Sequence, residues 1–154
     1  MSRMDASLIR LDKRIFMRAE FDRALLARYT ERMRRGEDVG WVTLSRGYDL
    51  QPYVIDGFHR VLAAKKLGIE VEYEWHYDEQ PTTIDVMVCV AAIEAMQHKE
   101  ADPALVAQKA ILSYRAAELS DDEAAHIFGF PRGLWAKTRR EMFPEGDASG
   151  FDVG

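Results

Sequence analysis

Asp56, Gly57, Phe58, His59 and Arg60 stand where a β-branched run, Tyr53-Val54-Ile55, gives way to an Ala- and Leu-rich stretch closed by Gly68. The pattern predicts a strand, a tight turn and a helix whose first turn holds Phe58, His59 and Arg60. Such a turn suits an anion. The first amides of a helix have no acceptor within the helix and the helix dipole is positive there. Gly57 lets the backbone approach a ligand, and Arg60 can fork onto a phosphate. Asp56 can cap the helix, hold Mg2+, or do both; with no second carboxylate at fixed spacing, capping is the favoured reading.

A second group of residues could meet a polyanion. Ser120-Asp121-Asp122-Glu123 is a capping box, and it opens a short helix through Ala124, Ala125 and Phe128 to Gly129. Pro131 is then expected to open another helix with Trp135 on its inner face. The spacing resembles a helix-turn-helix: Ala125 allows close approach, Gly129 makes the turn, and Trp135 pins the second helix to the first. That helix carries Arg132, Lys137, Arg139 and Arg140 against only Glu141, a balance suited to phosphates and base edges. One short basic helix offers few contacts, so DNA binding would call for a dimer. The competing reading is a helical packing or dimerisation element with a basic exposed face.

The elements that must position these groups alternate along the first half of the chain. Residues 7–11 alternate as an edge strand, and Phe21, Leu25, Leu26, Tyr29 and Met33 recur at helical spacing up to Gly36. Trp41–Ser45, Tyr53–Ile55 and Val71–Trp75 read as strands. The order β-α-β-β-α-β predicts an α/β (α+β) fold, a small mixed sheet with covering helices. Gln80-Pro81-Thr82 marks a boundary. Residues 1–80 form the first domain, 81–144 a helical region, and the Gly- and acid-rich residues 145–154 a flexible tail. Within the helical region, 83–97 reads as a buried helix, although Ile84–Val90 also suits a strand, and Asp102-Pro103 opens a helix reaching about Glu118.

The turn also resembles the ParB/sulfiredoxin superfamily, whose phosphate-binding signature is Gly-x-x-Arg at a strand-to-helix turn, matched by Gly57 and Arg60. Upstream, Leu8-Ile9-Arg10-Leu11-Asp12 and then Arg18-Ala19-Glu20-Phe21-Asp22 are similar to the first strand and the Arg-x-x-Phe-Asp segment of ParB N-terminal domains. Both boxes lie in the right order within residues 7–76. The resemblance implies a nucleotide triphosphate, CTP or ATP with Mg2+, bound along Gly57, Phe58, His59 and Arg60 with help from Arg18. It implies a helix-turn-helix directly after that domain, and hence a homodimeric, nucleotide-binding, DNA-binding regulator of bacterial, plasmid or phage origin. The signature's middle is Phe-His where chromosomal ParB commonly has Glu-Arg, which argues against chromosome partitioning itself.

Two relatives within the superfamily suggest other chemistry. Free-serine kinases have Asp-Gly-x-x-Arg, matched by Asp56, Gly57 and Arg60, together with a carboxylate base from the N-terminal region, for which Glu20 is the nearest candidate. This is the alternative reading: an enzyme, whether phosphotransferase, NTPase or nuclease, whose helices cover the site or dimerise. A helix-start carboxylate is the simpler role for Glu20. Sulfiredoxins carry a reactive Cys where Phe58 stands, so neither that repair chemistry nor a redox cofactor is expected.

Composition limits the rest. With 154 residues, 47% hydrophobic and 31% charged, the chain can bury a core and reads as an ordinary globular protein. A net charge of −5 disfavours indiscriminate nucleic-acid binding, although Arg23, Arg28, Arg32, Arg34 and Arg35 make the first helix basic. The single Cys89 excludes an internal disulfide, and no leader or long apolar run is evident, so a cytoplasmic protein without membrane contact is expected. His76, His98, His126 and Cys89 lack metal-ligand spacing, and no zinc site is expected.

Overall fold

A computed structural model describes residues 2–76, 79–98, 100–113 and 118–144. Four strands, β1 (Ser2–Asp5), β2 (Val42–Arg46), β3 (Pro52–Asp56) and β4 (Glu70–Trp75), form one sheet in the order β1-β4-β2-β3. The sheet is mixed: β4 lies parallel to β2, whereas β1 runs antiparallel to β4 and β3 antiparallel to β2. Helix α1 (Arg23–Arg34) precedes β2 and α2 (Phe58–Leu67) links β3 to β4, the expected order of elements. Val42, Leu44 and Val54 from the sheet meet Val61 and Ala64 of α2 in the core, all fully buried.

The first strand is not where the alternation of residues 7–11 put it. It lies at Ser2–Asp5, paired Met4 to Val71, after which Asp5 accepts the Ser7 N–H at 2.9 Å and the chain makes a 3-10 turn through Ala6–Leu8. The alternating run is used differently: Arg10 forms a bridge to Tyr53 on the edge of β3, and Ile9 is buried beneath it. A short carboxylate turn thus overrides the period-2 signal.

Helix α3 (Ile84–Ala95) settles the ambiguity of the apolar stretch, with Thr83 capping it by accepting the Val86 N–H at 3.2 Å. Its apolar residues occur on all sides because it serves two cores. Met87, Val88 and Ala91 pack with the sheet and α2, while Ala92 joins a second cluster built from Val106, Ala110, Ala124, Phe128, Phe130 and Trp135. The segment before it is stitched to the sheet, for Thr82 donates to the Arg46 carbonyl at 2.9 Å.

Helix α4 (Pro103–Ile111), capped by Asp102, stops well short of Glu118. Both the amide and the hydroxyl of Ser113 turn back onto the Ala110 carbonyl, at 3.0 and 2.8 Å, and close its last turn. The expected capping box is present: Ser120 Oγ accepts the Glu123 N–H and Glu123 accepts the Ser120 N–H, each at 3.1 Å, opening α5 (Asp121–Phe128). Helix α6 (Leu134–Met142) starts at Leu134, not at Pro131. Asp121 is the reason. Its carboxylate accepts the N–H groups of Gly133 and Ala136 at 3.1 and 3.0 Å, so the chain turns through Pro131–Gly133 before the helix begins. The expectation of a flexible tail at 145–154 falls outside the described residues.

Candidate functional site

At the α2 N-terminus an open cleft of about 450 Å³ gathers residues from four parts of the chain. The loop before α1 supplies Phe16, Met17 and Arg18, α1 supplies Leu25 and Tyr29, the turn supplies Asp56–Arg60, and Glu94, His98 and Glu100 come from α3 and the segment after it. The cleft therefore brings together Arg18, Asp56, Gly57, Phe58, His59 and Arg60. Glu20 is exposed and is not among its lining residues.

Gly57 sits at φ +108°, and a Cβ there would come within 2.6 Å of Val42 Cγ1. Only glycine satisfies both the left-handed backbone and the close approach to β2. Because Gly57 is itself the first residue before α2 and brings no side-chain cap, the expected capping by Asp56 does not occur. Asp56 instead stands 3.6 Å from Arg60 Nη2. Among the described residues no group of three or more His, Cys, Asp or Glu could hold a metal ion.

Arg60 is mostly buried and held on three sides. Nη1 donates to the Trp41 carbonyl at 2.6 Å, Nη2 faces Asp56, and the Tyr29 ring lies 6.0 Å from the guanidinium carbon. A guanidinium fixed in this way lies along the cleft with little side-chain entropy left to lose. Arg18, half exposed, reaches the same space and pairs loosely with Glu100 at 3.7 Å.

Phe58 and His59 serve packing more than the cleft surface. The Phe58 ring stacks in a tilted contact with Phe16, their centroids 4.8 Å apart. His59 is buried, with the edges of its ring against Phe16 and Phe21, and its Nε2 accepts the Asp22 N–H at 2.9 Å. Burial pushes the imidazole pKa below its ordinary value, Arg18 adds to the effect, and Asp22 opposes it. Lys109 of α4 ties the helical region to this loop: its ammonium donates to the carbonyls of Lys13, at 2.9 Å, and of Phe16. Burial lowers its pKa too.

The basic residues of the C-terminal helices have different fates. Arg132 lies in the turn before α6, while Lys137 and Arg140 are exposed on it, Lys137 loosely paired with Glu141 at 4.0 Å. Arg139 is half buried and donates to the Leu119 carbonyl at 3.5 Å, an oxygen it shares with Trp135 Nε1 at 3.0 Å. At the C-terminal end of α1, Arg34 pairs with Glu31, and Arg32 and the cap residue Arg35 both pair with Glu37. Trp41, Tyr29, Glu94 and Glu100 carried no local signal of belonging to the site. Their spacing in sequence is unrelated to the cleft, which forms only when α1, α2 and α3 pack around Phe16.

No family model matches the sequence, and no curated protein matches it. Solved structures do match. The C-terminally truncated chromosome-partitioning protein ParB from Caulobacter crescentus, complexed to the centromeric parS site, is similar over 91% of this chain and 71% of that one, with 15% identity and a TM-score of 0.58. The same protein complexed with CTP-gamma-S is similar over 96% of this chain and 86% of that one, with 15% identity and a TM-score of 0.52. This likeness over nearly the whole chain gives the protein a ParB-like fold.

Proposed function

We propose that this chain is a nucleotide-binding, DNA-binding regulator that receives a nucleoside triphosphate in the cleft at the α2 N-terminus. The carrying observation is the immobilised Arg60, set beside the open first turn of α2 and across from Arg18. In this reading the phosphates take hydrogen bonds from the amides that follow Gly57 and from Arg60, and Arg18 leaves Glu100 to join them. Leu25, Tyr29 and Ala95 offer apolar surface to the nucleoside. The ParB structures with CTP-gamma-S and with parS support both halves of the proposal.

DNA would be met by the α5–α6 pair, acting as a helix-turn-helix in a homodimer, through Arg132, Lys137 and Arg140. Its rigid frame, with Asp121 bonded to the start of α6 and Trp135 buried against α5, supports that use. The test is calorimetric titration with CTP, ATP and ADP, with and without DNA and Mg2+. Binding of a triphosphate that strengthens with DNA is the expected result. Turnover without DNA would favour an enzyme, and absence of any nucleotide binding would remove the proposal.

A further inference from the structure

We infer that His59 is a positioning residue: its imidazole, acting as an acceptor, fastens the start of α1 to the start of α2 and so sets the cleft wall formed by Leu25 and Tyr29. The inference rests on the nucleotide reading for its effect on affinity, but its geometry is independent of any ligand.

Asp22 is the hinge of the arrangement. Its carboxylate caps α1 by accepting the Leu25 N–H at 3.0 Å, while its own N–H is given to His59 Nε2. One residue therefore joins the two helices, with its side chain and carbonyl committed to α1 and its N–H to α2. Two turns along α1 from this joint, Tyr29 lies over Arg60. If the joint opens, the wall carrying Leu25 and Tyr29 loses its anchor beside the phosphate turn.

An N–H can be accepted only by an imidazole nitrogen that carries no proton. The surroundings favour that state. Phe16 and Phe21 enclose the ring; Arg18 lies near it, and Asp22 is the opposing charge. The other charged or titratable groups around the cleft are Tyr29 on α1, Asp56 and Arg60 at the turn, Glu94, His98 and Glu100 across it, and Lys109 held on the Phe16 carbonyl. Since the folded-state pKa of His59 lies below its unfolded value, the tie contributes stability above the unfolded pKa. That contribution is lost as pH falls through the folded pKa.

The tie is directly measurable. In uniformly 15N-labelled full-length protein, a scalar coupling across the hydrogen bond should connect the Asp22 amide nitrogen to His59 Nε2, and it should vanish on acidification as the imidazole titrates. Substitutions then separate acceptor from ring. His59→Gln places an amide oxygen near the Nε2 position and should hold CTP affinity within about threefold of the parent. His59→Ala, which leaves a buried N–H without its acceptor, should weaken CTP binding about tenfold or fail to fold. An Asp22 amide with no such coupling, or a His59→Gln protein as impaired as His59→Ala, overturns the inference. The two failures are distinguishable: coupling without CTP binding by the parent protein sinks the nucleotide reading and keeps the tie, whereas CTP binding without coupling sinks the tie alone.

Discussion

Arg60 donates to the carbonyl oxygen of Trp41 at 2.6 Å, which couples the first turn of α2 to the segment leading into β2. The approach is close enough that a Cβ on the neighbouring Gly40 would lie 3.3 Å from the same Nη1. The arginine of the Gly57–Arg60 turn is thus placed by backbone from a distant part of the chain. Its side chain is held by groups of the chain itself.

Replacing Arg60 with Ala is expected to abolish or severely weaken nucleotide binding while the protein stays folded. Loss of a charge-assisted contact costs about 1.5–3 kcal/mol, or roughly a ten- to hundredfold rise in Kd. Calorimetry alongside circular dichroism checks both halves. Unchanged affinity, or an unfolded variant, would show that this turn has been assigned wrongly.

Gly57→Ala should destabilise the fold itself. The left-handed backbone at φ +108° and the 2.6 Å approach to Val42 Cγ1 act together. Strain of about 1–3 kcal/mol from each makes a loss of roughly 2–6 kcal/mol. In a double-mutant cycle, Val42→Ala should couple favourably with Gly57→Ala, costing less beside it than in the parent protein, because it removes the 2.6 Å contact with Cγ1 but not the strained φ. Urea denaturation of the single and double variants measures both, and a single-variant loss under about 0.5 kcal/mol would contradict the geometry.

Asp121→Ala should loosen the α5–α6 pair by about 1–2 kcal/mol, since its carboxylate accepts two N–H groups at the start of α6. Hydrogen exchange would show the change as lost protection at Gly133 and Ala136, with β2 and β3 unaffected. Uniform loss across the sheet would mean that α5 and α6 do not open on their own.

For DNA, the exposed residues are the ones to change. Lys137→Ala with Arg140→Ala should weaken binding and reduce the log–log salt slope by about two, one unit for each lost phosphate contact. Arg139→Ala should act mainly on stability, because its guanidinium reaches the Leu119 carbonyl inside the helical region. Anisotropy titrations at several salt concentrations separate the two effects. No DNA binding by the intact protein at low salt, with or without nucleotide, would leave α5 and α6 as packing elements.

By itself, the sequence determined the features that depend on near neighbours. The strand–turn–helix around Gly57, the capping box at Ser120 and the order of strands and helices are all local, encoded in glycine, cap and periodicity signals a few residues apart. Tertiary structure decided what those groups face. His59, expected on a phosphate from its place in the signature, has its Nε2 engaged by an amide 37 positions earlier. Asp56, expected as a cap, turns to Arg60, and α3 is a helix because two cores need apolar surface on opposite sides of it. The first strand moved for a related reason. Four residues of mixed polarity become a strand only because β4 offers unpaired backbone groups beside them, and no periodicity within Ser2–Asp5 announces that partner.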